Sequence, residues 1–112
     1  KPVAFLVNEY TRSGNEVLAQ GIRKYRLGEL VGAPTAGAVL AGRPYLLADR
    51  SLLYLPIADV LVDGKRAEGV RIQPTIKAEC LLPYAQGHDE QLEQGVKVLV
   101  SKNITTSQIV TS

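Results

Sequence analysis

Few side chains in this sequence could carry a reaction, and Ser13 is the best placed of them. It follows the apolar run of residues 3–7 and the polar stretch 8–12, and it stands where a helix over residues 14–26 would begin. A hydroxyl at such a junction is exposed, and the free amides and dipole of the first helical turn favour negative charge developing beside it. Those are the needs of an acyl-transfer nucleophile. The local pattern has a second reading, because Ser13 with Glu16 three residues later is a capping-box sequence, and cap serines far outnumber catalytic ones. A serine at its ordinary pKa also needs a base. Lys24 lies eleven residues of predicted helix away, roughly 16 Å at about 1.5 Å per residue. His88, the sole histidine, precedes a terminal helix and reads more readily as a surface imidazole. One cysteine and one histidine cannot assemble a structural zinc site, and no glycine-rich loop ends in Lys-Ser or Lys-Thr, so no cofactor is expected.

Placing that hydroxyl falls to the elements around it. Residues 3–7 are β-prone without alternation, which predicts a buried parallel strand covered on both faces. In residues 14–26, Leu18, Ile22 and Tyr25 recur at helical spacing with Val17 beside them, predicting that stripe as the buried face. Arg23, Lys24 and Arg26 load the last turn, where the dipole favours cations, and Gly28 is the predicted stop. Residues 29–32 read as a second strand, and a strand–helix–strand unit predicts a right-handed parallel crossover. Residues 33–42 are small and glycine-rich, a composition that lets backbone approach a ligand or another chain closely. Residues 44–48 and 51–55 predict a hairpin joined by Asp49-Arg50, a link without the glycine such turns prefer. Residues 60–62 and the turn Asp63-Gly64 continue the strand system. Asp89 is the predicted N-cap of a final amphipathic helix on which Leu92, Val96 and Leu99 share a face. Beyond Ser101 the polar, threonine-rich residues predict a frayed tail.

At 112 residues, 46% hydrophobic and 21% charged, the chain has the composition of one globular domain or a piece of one. Its thirteen basic residues are scattered and its net charge is +2, a field too weak to argue for nucleic acid. No apolar run approaches the roughly 20 residues that a membrane-spanning helix needs. Cys80 is the sole cysteine, so an internal disulfide is excluded, and its apolar neighbours make it read as a small core residue. The sequence opens directly on a strand-like segment, without an initiator methionine or leader, and is read as an excised fragment.

The run Asn8-Glu9-Tyr10-Thr11-Arg12-Ser13-Gly14-Asn15-Glu16-Val17 resembles the nucleophile region of the C-terminal processing, or tail-specific, serine peptidases, with Ser13 in the nucleophile's place. Val31-Gly32-Ala33-Pro34-Thr35-Ala36-Gly37 is similar to that family's Val-Gly-x-x-Thr-x-Gly loop. Asp63-Gly64, Glu68-Gly69-Val70-Arg71-Ile72-Gln73-Pro74 and Gly87-His88-Asp89-Glu90-Gln91-Leu92-Glu93 continue the resemblance in family order, over residues 1 to about 100. It implies an α/β fold with a crotonase/Clp-like strand–helix–strand core, a β-hairpin and a C-terminal helix, forming part of a larger domain. Residues 1–101 would be the C-terminal part of the catalytic domain and 102–112 a polar tail. The implied activity is endopeptidase hydrolysis of protein or peptide substrates near their C-termini, in an extracytoplasmic compartment. Gly14 N–H would supply one half of the oxyanion hole, the other half coming from an upstream turn.

The lysine-dependent branch of that family carries its base directly after the glycine of the Thr-x-Gly loop, and here that position is Ala38, which cannot take a proton. Another branch, which includes the tricorn-type core proteases, uses an upstream histidine oriented by polar residues, among them a glutamate at the place of Glu68. Arg71-Ile72-Gln73-Pro74-Thr75 departs from the family's frequent Gly-Val-x-Pro-Asp, so Glu68 also reads as a solvated turn carboxylate. Three explanations of Ala38 stay open: a Ser-His-Glu enzyme whose histidine lies upstream, a lysine-type enzyme whose base was substituted, and an inactive relative. The first is preferred, and it makes the isolated chain inactive. The contrasting reading is a binding module. The retinoid-binding repeats of the vertebrate eye resemble the same family, and the aliphatic loop 35–41 would suit an apolar-ligand or peptide pocket. Without an upstream half, the chain is also expected to expose a strand edge and apolar surface, and to self-associate.

Overall fold

A computed structural model describes residues 1–79 and 86–109 of the chain, so the expectation for Cys80 lies outside the described residues. In chain order the elements are β1 (Ala4–Val7), α1 (Gly14–Tyr25), β2 (Glu29–Gly32), β3 (Leu40–Leu46), β4 (Leu52–Asp59), β5 (Leu61–Val62), β6 (Lys65–Arg66), β7 (Ile76–Lys77) and α2 (Glu90–Ile109). β1 and β2 pair in parallel, Ala4 opposite Glu29 and Val7 opposite Gly32, as the strand–helix–strand reading requires. β7 joins the far side of β2, also parallel, giving the sheet order β1-β2-β7. Val7, Ala19, Ile22, Leu30 and Ile72 form the core between sheet and α1, with Phe5 packed against it. Each Val, Leu or Ile side chain among them removed from water contributes about 1.5–3 kcal/mol, and the Ala19 methyl less.

α1 sits one step round from its expected orientation. The buried stripe is Glu16, Ala19 and Ile22, while Leu18 and Tyr25 are exposed. The reason is chemical: a carboxylate at position 16 has partners inside, described below, and the helix turns to deliver it. The stop also differs. Arg26 takes the left-handed conformation at φ 52°, with Leu27 N–H reaching Ile22 O at 3.0 Å, so the helix closes two residues before Gly28. Gly28 is needed for a close approach instead, because a Cβ there would lie 2.6 Å from Val3 O.

β3 and β4 form the expected hairpin, with Tyr45 opposite Leu53 and a bulge between Ala41 and Gly42. Its link is longer than the two residues expected. Leu47 N–H bonds Ser51 O at 2.9 Å and Arg50 N–H bonds Leu47 O at 3.0 Å, with Arg50 at φ 66°. The Asp49 carboxylate, which accepts from both Ser51 N–H and Ser51 Oγ, supplies the local bonding that lets the turn close without glycine. Those same bonds hold its pKa below the usual carboxylate value. The hairpin projects as an arm: the radius of gyration is 18.2 Å, against about 13 Å for a compact 100-residue domain. β5 and β6 form a second, minimal hairpin around Asp63-Gly64.

Asp89 caps α2 as expected, its carboxylate accepting Leu92 N–H at 2.9 Å. The face that packs is not the expected one, however. Gln91 and Gly95 are buried and Leu99 of the expected face is partly buried, whereas Leu92, Val96 and Val100 stay half-exposed. Gln91 donates to Ala78 O at 3.1 Å, and Gly95 lets the helix close on Leu6, whose Cδ2 would lie 3.1 Å from an added Cβ. The predicted frayed tail is also corrected, since α2 continues to Ile109. Lys102 bonds the Glu29 carboxylate on β2 at 2.6 Å, a tertiary tie that holds the helix where local propensity is weak. No helix among the described residues is long and apolar enough to cross a membrane.

That tie predicts a pH response. Lys102, then the Thr75 hydroxyl, hold the Glu29 pKa below its ordinary 4.5. A depressed carboxylate stabilises the fold above its unfolded pKa and loses that contribution as pH falls through the lower, folded value. Acidification below pH 4.5 is therefore expected to reduce helical circular dichroism by loosening the end of α2, through an effect of at most about 1 kcal/mol for a partly exposed pair. Lys102→Ala should remove most of this pH dependence; an unchanged acid profile in that variant would show that the tie contributes nothing.

Candidate active site

Ser13 stands at the β1-to-α1 junction with φ 59° and ψ −133°. This is the conformation of the first central residue of a type II′ turn, which glycine fills without cost and other residues adopt only under strain of about 1–3 kcal/mol. The capping box does not form. Ser13 makes no side-chain cap bond, and its hydroxyl is left at the exposed mouth of the junction. Thr11 and Asn15, on either side of it, line a groove of about 210 Å³ that runs between β1 and α1 past Leu6 and Leu18. Gly14, the first residue of α1, is exposed, and its N–H has no intrahelical partner at this position.

The loop between β2 and β3 holds this junction from the side. Ala36 N–H bonds Thr11 O at 2.9 Å and Ser13 N–H bonds Ala38 O at 2.8 Å, two rungs that fix the backbone on both sides of Arg12. Ala38, at the position singled out for its missing base, is exposed, so its methyl leaves the space beside Ser13 open.

What shapes that loop is Glu16, 1% exposed. Its Oε1 accepts the Thr35 hydroxyl at 2.5 Å and Gly37 N–H at 2.7 Å, and its Oε2 accepts Ala38 N–H at 2.8 Å. Thr35, fully buried, accepts Ile72 N–H at 2.8 Å through the same hydroxyl oxygen. Arg71 completes the lacing by donating Nε to Thr35 O at 2.6 Å and Nη2 to Pro34 O. Burying a carboxylate is costly unless it is hydrogen-bonded, and three donors meet that need here. Residue spacing hid this function, because Glu16 fits a capping box equally well; the usable signal was a Thr-x-Gly loop whose amides have no acceptor nearby in sequence.

Glu68 belongs to the same assembly. Its Oε2 accepts Val39 N–H at 2.6 Å. The Ala38–Val39 peptide group thus takes the Ser13 amide on its carbonyl side and meets the Glu68 carboxylate on its N–H side. Gly69 N–H bonds Gly37 O at 2.8 Å beside it. Glu68 is half-buried and tied to the loop between β2 and β3, which is not the setting of a free turn carboxylate. Lys24 and His88 are engaged elsewhere. Lys24 Nζ is bonded to Asp63 at 2.6 Å, and that bond raises its pKa, the wrong direction for a proton acceptor. His88, its side chain 82% exposed, meets Glu93 at 3.4 Å on the surface.

Residues 1–78 match the family model described as Peptidase family S41. Among curated proteins, the chain is 28% identical over 107 residues to a tricorn protease homolog of Saccharolobus solfataricus, covering 91% of this chain and 10% of that protein. The crystal structure of the tricorn protease superposes with a TM-score of 0.76 at 24% identity, over 90% of this chain and 10% of that one. The photosystem II D1 C-terminal processing protease gives 0.56 at 26% identity, over 70% of this chain and 21% of that one. These likenesses agree with the α/β core, hairpin and C-terminal helix described above. The chain spans about a tenth of the length of the curated relative it matches.

Proposed function

Because the chain belongs to peptidase family S41, we propose that it is the nucleophile-bearing part of a serine endopeptidase that cleaves protein substrates near their C-termini. The observation that carries this reading is the backbone of Ser13. A serine held at φ 59° with no side-chain cap bond is strained, and while its carbonyl accepts Glu16 N–H at 2.9 Å to start the helix, its hydroxyl is left free at the junction.

In this reading Ser13 Oγ attacks the scissile carbonyl and gives its proton to a base supplied from outside this chain. Gly14 N–H stabilises the resulting oxyanion together with a donor from another segment, and the proton passes to the leaving amine. The acyl-enzyme formed in this way is then released by water. Glu68 orients the incoming base: Oε2 is held by Val39, which leaves Oε1 to accept from an imidazole or from a group bonded to one. Ala38 supports an external base in the same way, since an exposed methyl leaves room beside Ser13. The rest of the domain would cover the open edge of β1 and the half-exposed Leu92, Val96 and Val100 of α2.

In the full polypeptide that carries these residues, a fluorophosphonate is expected to label Ser13, and Ser13→Ala to abolish the label. Absence of labelling, or labelling that survives the substitution, rejects the nucleophile assignment. Saturable binding of an apolar ligand or peptide without any labelling would instead favour the inactive binding module.

A further inference from the structure

Arg71 is exposed, yet its bonds are not those of a surface side chain. Nε donates to Thr35 O at 2.6 Å and Nη2 to Pro34 O at 3.2 Å. Successive carbonyls of an extended chain point to opposite sides. Here two neighbours turn to one guanidinium, whose planar fork can hold both. Gly37 makes room for the side chain, since a Cβ there would lie 3.1 Å from Arg71 Cγ. Backbone on either side of Arg71 is bonded to the same loop, Gly69 N–H to Gly37 O at 2.8 Å and Thr35 N–H to Ile72 O at 3.1 Å.

The Thr35 carbonyl belongs to the peptide group whose N–H is that of Ala36, and Ala36 N–H bonds Thr11 O at 2.9 Å, two residues before Ser13. One peptide group therefore connects the Arg71 cation to the backbone ahead of Ser13, as the Ala38–Val39 group connects the Glu68 carboxylate to the Ser13 amide. The sign of each charge suits the pole it meets. A cation at a carbonyl polarises the peptide so that its N–H donates more strongly, and an anion at an N–H makes the carbonyl a stronger acceptor. Each charge thus strengthens the rung it stands behind. A serine at φ 59° must be held there by its surroundings, and these two rungs are the bonds that flank it.

We propose that Arg71 is a positioning residue for Ser13, acting through the Thr35–Ala36 peptide group on Thr11 O and so on the strained turn that presents the hydroxyl. The proposal rests on the reading of Ser13 as nucleophile. Arg71 itself lines a separate groove with Gln20, Arg23 and Lys24, which shares no residue with the groove beside Ser13. Its effect is therefore on rate and not on substrate affinity.

In the full polypeptide, Arg71→Met removes both donors while keeping most of the side chain's length, and Arg71→Lys keeps the charge without the fork. The Met variant is expected to lose about 10²-fold in kcat and in the rate of fluorophosphonate labelling, with KM nearly unchanged. The Lys variant should fall between it and the parent. Hydrogen exchange of residues 11–14 and 34–38 should quicken about tenfold or more in the Met variant, while exchange of β2 keeps the parental rate. A lower melting temperature with kcat per folded molecule unchanged would overturn the proposal and leave Arg71 a clamp on the fold alone. Parental exchange at residues 11–14 would overturn it as well. Where the parent itself is not labelled, the nucleophile assignment is what fails, and exchange alone decides Arg71: parental rates at residues 11–14 overturn its hold on the junction, and faster rates support it.

Discussion

Ser13→Gly in the full polypeptide is expected to abolish hydrolysis while making the protein more stable, by about 1 kcal/mol. The two effects have one origin. At φ 59° and ψ −133° a side chain crowds its own backbone, and glycine occupies that region freely. Relief of about 1–3 kcal/mol of strain exceeds the 0.5–1 kcal/mol that glycine's greater freedom adds to the unfolded state. No cap bond is forfeited, since none is made. Loss of the nucleophile should lower kcat by at least about 10⁴-fold, leaving only binding and oxyanion stabilisation. Ser13→Ala separates the two terms: it should be as inactive but no more stable, because its Cβ keeps the strain. Denaturant unfolding of the three proteins, with hydrolysis of a generic peptide or ester, measures both. A Ser13→Gly protein less stable than the parent would show that Ser13 serves the helix, and one that keeps its rate would remove Ser13 from the chemistry.

The same residue marks how far the sequence could be read. β1, α1 and β2 were legible because an unbroken apolar run, a helical period and a second apolar run leave one parallel arrangement, and the pairing of Val7 with Gly32 is its result. The facing of both helices was not. Leu18, Tyr25, Leu92 and Val96 carry the helical period yet stay exposed, because the buried positions are decided by partners distant in sequence: Thr35, Gly37 and Ala38 for Glu16, and Ala78 for Gln91. The end of α2 was hidden for the same reason, since Lys102 finds Glu29 across 73 residues. The hairpin was visible from its two apolar strands, but its link was not, because Asp49 and Ser51 supply bonds that replace a glycine signal. Of the site, the motifs pointed to Ser13, Gly14, Ala38 and Glu68; that one peptide group joins Ser13 to Glu68 is a property of folded backbone, which no spacing expresses.

The largest expected effect away from Ser13 follows from the buried carboxylate. Glu16→Ala removes the acceptor for the Thr35 hydroxyl and for the Gly37 and Ala38 amides. Each donor left unpaired away from water costs about 1–3 kcal/mol, so a total loss of about 3–5 kcal/mol is expected, a large share of a domain's stability. Glu16→Gln is the sharper test because it keeps the shape. If its remaining oxygen serves Thr35 and Gly37, its new –NH₂ faces Ala38 N–H, donor against donor. The loop must then shift at Ala38, whose carbonyl holds the Ser13 amide. A displacement near 1 Å at a nucleophile costs about 10²-fold in rate. Folded Glu16→Gln should therefore lose about that factor in kcat and in the rate of fluorophosphonate labelling, with KM nearly unchanged, because no bond to substrate is touched. A residue that only stabilises the fold would lower the melting temperature and leave kcat per folded molecule alone. Parent-like labelling in the folded Glu16→Gln protein would therefore confine Glu16 to the core and detach the loop from the geometry of Ser13.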